Sequence, residues 1–300
     1  MTWRKDRRNF RENVYRQLFA ILSYASLIFL LAITFTLFRE GLPIFHYVKP
    51  LSFIFGKNWY PTHEPPEFGV LPLILASGLV TLGAMLVCTP LGLGTALYLN
   101  ELAGEKQRAI LKPLVEILAS IPSVVYGFFG LAVFAPFVQN LFHLPTGLCA
   151  LTASIILGVM AVPCVCSIAE DALSFVPKSF REASYALGAN RWQTLIKVVV
   201  PAAGSGIFTA LIMGTGRVVG ETMTVLMVAG GAAVVPHSFL QPVRPMSAAI
   251  AAEMGEAAVG SSHYHALFAI ALILFLLTLG FSILAELLSR KFRAKLGGLL

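Results

Sequence analysis

Of the 300 residues in this chain, 57% are hydrophobic and only 12% are Asp, Glu, Lys or Arg, where a soluble domain carries about 25% charged residues. That balance excludes a water-soluble globular domain and predicts an all-α membrane protein. The net charge of +7 raises a nucleic-acid partner, but the positions of the charges exclude one.

The chain opens with a basic tail, 1–16, holding Arg4, Lys5, Arg7, Arg8, Arg11 and Arg16. The first uncharged block follows, 21 residues from Leu18 to Phe38. About 20 apolar residues cross a hydrocarbon core of about 30 Å, so a first span is predicted at 17–38. It is longer than the apolar region of a signal peptide and no small-x-small site follows it, so it is predicted to stay in place. Residues 39–69 form a loop rich in proline and aromatics, including Trp59, Tyr60, Pro65 and Pro66. It is predicted to cap the membrane part on the outer side or to meet an outside partner.

The second span is predicted at 70–99 within the uncharged Val70–Asn100. The 53 uncharged residues Ile117–Ala169 hold two spans, 114–138 and 147–168, separated by Gln139-Asn140 and by His143 to Gly147. An inner loop, 169–202, leads to a fifth span at 203–228. The connection 229–263 contains an apolar stretch, Met246–Met254, too short to cross and read as a re-entrant or surface helix. A sixth span at 264–288 and a tail at 289–300 end the chain. Only helices satisfy their backbone groups over such blocks.

Lys and Arg alternate from loop to loop. Both tails and the loops after the second and fourth spans hold 17, the intervening loops hold four, and Arg217 lies inside a span. The asymmetry predicts that both termini are cytoplasmic. The basic balance thus reflects topology. The four cysteines lie in or beside apolar spans, and no His or Cys partner stands at metal-ligand spacing from Cys164 and Cys166, so they are read as packing residues. All six histidines fall on the predicted outer side, and His263 and His265 are not expected to bind metal.

The loop 175–201 is ordered beyond the needs of a linker. Pro177 suits the start of a short helix. Val176, Phe180, Ala183, Ser184 and Leu187 recur at helical spacing and predict one apolar face. Gly188 fits a helix-ending turn. Asn190 and Gln193 have the spacing of a capping pair for a second helix, and Pro201 ends the unit. Such a helix–turn–helix suits either a connector on the lipid surface or a docking element. The spacing Glu182-Ala183-Ser184, three residues, Gly188, nine residues, Val198-x-Val200-Pro201 closely resembles the EAA loop of ABC importer permeases. Ser184 and the two valines depart from the family pattern conservatively. The resemblance implies a type I importer permease arrangement, with Glu182, Ala183, Ser184, Gly188 and Pro201 coupling to an ATPase subunit.

Inside the fifth span, Gly216-Arg217-Val218-Val219-Gly220-Glu221-Thr222-Met223 puts Arg217 and Glu221 four residues apart, on one helix face if the helix is continuous. A charge at that depth costs at least about 2.5–3.5 kcal/mol, so a packing role alone is a poor reason to keep it. Two readings follow: a structural Arg–Glu pair, or an arginine on a water-filled pathway that grips an oxyanion with its planar fork while Glu221 holds it in place. Gly214, Gly216 and Gly220 allow close approach of a helix or substrate.

The Gly-Arg-x-x-Gly-Glu-Thr-Met string, Ser120 to Gly127, and Pro242-Val243-Arg244 resemble the phosphate-specific ABC importer permeases, PstC-type, over about residues 65–290. This implies a permease of the bacterial inner membrane that moves inorganic phosphate, with Arg217, Glu221, Thr222 and Ser123 in the substrate pathway. The implied partners are a sister permease of PstA type, an ATPase dimer holding ATP and Mg, a periplasmic phosphate-binding protein and membrane lipid. No cofactor is expected on this chain and no catalysis, since it contains no G-x-x-x-x-G-K-[ST] loop. The alternatives are a permease for molybdate or sulfate, an ion-coupled secondary transporter, and a membrane enzyme or assembly factor.

Overall fold

The computed structural model describes the backbone of residues 2–297, and side chains over 15–284 and at 286 and 287. The basic residues of the predicted cytoplasmic tails, 1–16 and 289–300, therefore lie outside the described side chains, Arg16 excepted. Helix α1 (Thr2–Gly41) is followed by a 3-10 turn (Leu42–His46) and a short α2 (Pro50–Phe55). A two-residue hairpin then pairs β1 (Trp59–Tyr60) antiparallel with β2 (Glu67–Phe68). Helix α3 (Leu71–Leu97) opens into a wide π turn, Tyr98–Leu102.

The predicted span at 114–138 is not one helix. Residues Glu105–Ser120 form α4, and the crossing segment starts afresh with α5 (Ser123–Phe129), a π turn (Gly130–Phe134) and α6 (Ala135–Phe142). The cause is Pro122. A residue before proline is pushed to extended backbone, and Ile121 sits at ψ 126° with Pro122 at ψ 141°. Helix α7 (Ala150–Ser174) is the most buried span. Then come α8 (Lys178–Ala186), α9 (Arg191–Thr194), a π turn (Leu195–Val199), α10 (Val200–Ala202), α11 (Gly204–Val219), α12 (Met223–Val228), α13 (Met246–Glu253) and α14 (Ser262–Gly297).

Among the described residues five segments are long and apolar enough to cross a membrane, and the pair Arg191–Ala202 with Gly204–Val219, bent by 70°, makes a sixth if taken as one broken span. Helices α3 and α7 form the centre because small residues let their backbones meet. A Cβ at Gly158 would lie 2.8 Å from the Ala84 carbonyl and 2.7 Å from Val87. Helix α11 crosses α7 at Gly214, against Val165, and α1 lies outermost, packed on α14. A second apolar cluster closes the hairpin end: Ile44, Phe53, Trp59 and Phe68 are buried against Met246, Leu267 and Ile270.

Candidate functional site

The fifth predicted span is also broken, and the break is where its polar residues sit. Helix α11 ends at Val219 and α12 starts at Met223, with Thr222 in the cap position. Arg217 and Glu221 therefore do not share one continuous helix face, and among the described residues no ion pair joins them. Glu221 instead turns its carboxylate onto the start of α12, accepting from the Thr224 amide at 3.3 Å, with the Thr224 hydroxyl 3.4 Å away.

Three helix starts converge on this break. The Thr224 hydroxyl donates to the Ser123 carbonyl at 2.9 Å, tying α12 to the first turn of α5. Ser247, in the first turn of α13, donates to the Glu221 carbonyl at 2.8 Å. The Met246 amide donates to Ser77 of α3 at 2.9 Å. The apolar stretch Met246–Met254 is thus a short helix whose first turn is buried inside the bundle.

Arg217 stands one turn before the break and is exposed. Its guanidinium makes no hydrogen bond and no ion pair among the described residues, although it lies near enough to Tyr126 and Cys164 for its charge to reach both. Ser123 and Thr222 are partly exposed. So the structure brings Ser123, Glu221 and Thr222 to one junction and leaves five N–H donors of Arg217 open beside it. Among the described residues, no group of three or more His, Cys, Asp or Glu is placed to hold a metal. Thr224 and Ser247 were not singled out from the sequence. Nothing in their apolar surroundings signals that one ties a hidden break to α5 and the other buttresses it.

At the opposite end, α8 and α9 take the helix–turn–helix form. Gly188 sits at φ +82°, and the capping pair closes with Gln193 donating to Asn190 Oδ1 at 2.8 Å and Asn190 to Gln193 Oε1 at 2.9 Å. Helix α8 begins at Lys178, with Pro177 in the cap position rather than in the first turn. The predicted single apolar face is divided. Val176 and Ser184 are buried, Ser184 bonded to Thr194 at 2.9 Å, whereas Glu182 and Ala183 face outward and Leu187 is 89% exposed. Exposed Tyr185 and Trp192 line a neighbouring cavity of about 570 Å³. Pro201 lies within α10, just before the 70° bend.

Three carboxylates, Glu170, Glu101 and Glu253, gather the ion pairs that brace the ends of the molecule, and the sequence reading missed all of them. Glu170 of α7 is 2% exposed and receives both Arg108 and Lys112 of α4, the latter at 2.7 Å. The carboxylate pushes the Lys112 ammonium pKa above the ordinary lysine value by accepting its hydrogen bond. Arg181 of α8 pairs with Glu101 in the π turn after α3. At the hairpin end Glu253 gathers Trp59 Nε1 (3.0 Å), His263 Nε2 (2.9 Å) and Arg244. Arg244, part of the family-like Pro-Val-Arg string, is a clamp in this structure: it also donates to the Gly231 carbonyl at 2.6 Å.

Long apolar helices, one of them paired through a 70° bend, define the class as a multi-pass membrane protein. Known sequences make the class definite. Residues 88–294 match the family described as binding-protein-dependent transport system inner membrane component, and the chain belongs to that family. It is 40% identical over 262 residues, 87% of this chain and 85% of the other, to a Bacillus subtilis (strain 168) protein named a probable ABC transporter permease protein, YqgH. It is 36% identical over 246 residues (76% and 74%) to the phosphate transport system permease protein PstC of Mesorhizobium japonicum. The PstC-type resemblance read from the sequence is borne out. The fold agrees with a chain of an inward-facing MetNI methionine ABC transporter (TM-score 0.58, 21% identity, covering 72% of this chain and 93% of that one) and with a chain of a bacterial alginate ABC transporter (0.65, 14%, 91% and 94%). The chain is therefore a multi-pass permease of an ABC importer, a subunit whose ATP is hydrolysed on another polypeptide.

Proposed function

We propose that the importer served by this chain carries inorganic phosphate into the cytoplasm, and that Arg217 binds phosphate oxygens on the way. The observation that carries this reading is an exposed guanidinium within a span, with no partner for its hydrogen bonds among the described residues. A charge in such a place is retained where water or an anion meets it. Its planar fork matches two phosphate oxygens. Glu221, held on Thr224, keeps the empty junction from becoming strongly positive. Its role is thus to balance charge near Arg217, in place of the direct ion pair expected from the sequence.

Arg217 faces outward from this chain, so the pathway runs between it and a sister permease, of PstA type by the sequence resemblance. A periplasmic phosphate-binding protein delivers substrate, and an ATPase dimer docks on Glu182, Ala183, Leu187 and the Gly188 turn, with buried Ser184 shaping that surface from within and exposed Pro201 ending the unit. The names of the PstC relatives support phosphate. Uptake of radiolabelled phosphate into vesicles holding all subunits, with molybdate and sulfate as competitors, tests it. Inhibition by unlabelled phosphate alone is expected. Equal inhibition by molybdate or sulfate assigns the site to oxyanions in general.

A further inference from the structure

The guanidinium of Arg181 fastens three chain segments at once. Its Nε and Nη2 engage the Glu101 carboxylate, with Nε at 3.2 Å from Oε1. Nη1 donates to the Val176 carbonyl at 2.7 Å, and Nη2 also reaches the Leu173 carbonyl at 3.2 Å. The pair is largely shielded, at 17% and 14% side-chain exposure, so it escapes most of the screening that weakens surface ion pairs. Arg181 belongs to α8, Glu101 to the π turn that continues α3, and Leu173 and Val176 to the exit of α7. Such wide turns recur at functional sites, and this one is tied to α7 a second time by Asn100, which donates to the Glu170 carbonyl at 3.4 Å.

We infer that Arg181 is a positioning residue that makes α8 and the α3–α7 pair move as one body, so that displacement of α8 by the ATPase reaches the membrane junction. This rests on the docking role proposed for α8. The neighbouring Glu182 points outward, so one helix turn presents a docking side chain to the partner and a brace to the core. Beyond the brace the path is close-packed. Helices α3 and α7 meet backbone to side chain at Gly158, and α7 meets α11 at Val165 against Gly214, one turn from Arg217. Two carbonyls and a carboxylate on one planar fork fix orientation as well as distance, which a lysine cannot reproduce.

The test uses the complete importer in vesicles and reads phosphate moved per ATP hydrolysed, which loss of folding alone does not change. Arg181→Gln is expected to keep ATPase capture and hydrolysis while the ratio falls at least about five-fold, with Arg181→Lys in between. The pair Glu101→Cys with Arg181→Cys is expected to show the same low ratio until a short bifunctional thiol linker joins the two positions, when the ratio recovers; linker-treated unmodified protein is the control. A wild-type ratio in Arg181→Gln, or no recovery on linking, overturns the inference. If Arg181→Gln does not assemble, Arg181→Lys decides: a wild-type ratio there reduces Arg181 to a folding role. The docking reading fails separately, if Leu187→Asp leaves ATPase capture intact.

Discussion

Thr224 and Ser123 are 101 residues apart in the chain, yet the hydroxyl of the first donates to the carbonyl of the second at 2.9 Å across two helix starts. Thr224 is fully buried, so this bond sets where α5 and α12 begin relative to each other and to Arg217.

Replacing Thr224 by valine keeps its shape and removes the donor. The Ser123 carbonyl then loses a partner in a half-buried setting, a loss of about 1 kcal/mol. Thr224→Val is expected to lower the thermal midpoint of the purified complex and to reduce uptake, while Thr224→Ser keeps both near normal. Equal behaviour of the two variants contradicts a role for the hydroxyl.

Gly188 isolates backbone strain from packing. Its φ is +82°, and an added Cβ would meet nothing within 4 Å, so any loss on substitution is conformational. Asparagine tolerates that region and a β-branched residue does not. Gly188→Asn should capture the ATPase nearly as well as the wild type, and Gly188→Val should insert normally but capture it weakly. Normal capture by Gly188→Val in a co-purification assay removes the turn from the docking surface.

Glu170 predicts an asymmetry. Arg108 and Lys112 are 43% and 40% exposed, so water can solvate them if Glu170 is changed. Removing both cations instead strands a buried carboxylate, a change on the scale of about 3–5 kcal/mol. Arg108→Gln with Lys112→Gln should therefore lower the thermal midpoint more than Glu170→Gln. The reverse order would show that the carboxylate is hydrated in place.

Orientation has its own check. With both termini cytoplasmic, Thr62→Cys in the loop between the hairpin strands should react with an impermeant thiol reagent from outside. Ser179→Cys at the start of α8 should react only after permeabilisation. The opposite pattern places α8 outside and removes it from contact with any ATPase.

Much of this was legible in the sequence because long uncharged blocks and strict loop spacing are local properties. The membrane class, the capping pair Asn190–Gln193 and the left-handed Gly188 are of that kind. The breaks at Ile121-Pro122 and Gly220-Glu221-Thr222 were written in the chain too, as a proline and a glycine followed by a threonine in a cap position. The continuous apolar pattern around them read as single spans. Glu170, Arg181 and Glu253 were not legible, because their partners lie 9 to 194 residues away and only the packing of α3 and α4 against α7, or of the hairpin against α13, brings them together. The ion pair expected between Arg217 and Glu221 failed for the same reason: its four-residue spacing has meaning only on an unbroken helix.

The central claim is that Arg217 touches the transported anion, and phosphate uptake by Arg217→Lys in the fully assembled importer tests it most directly. Arg217 has no hydrogen-bond or ion-pair partner among the described residues, so the substitution strands no buried carboxylate and assembly should survive. The charge is kept, and only the planar two-donor fork is lost. The account predicts normal complex yield with most phosphate uptake gone. Normal yield with wild-type uptake, or uptake persisting in Arg217→Leu with Glu221→Leu, would contradict it.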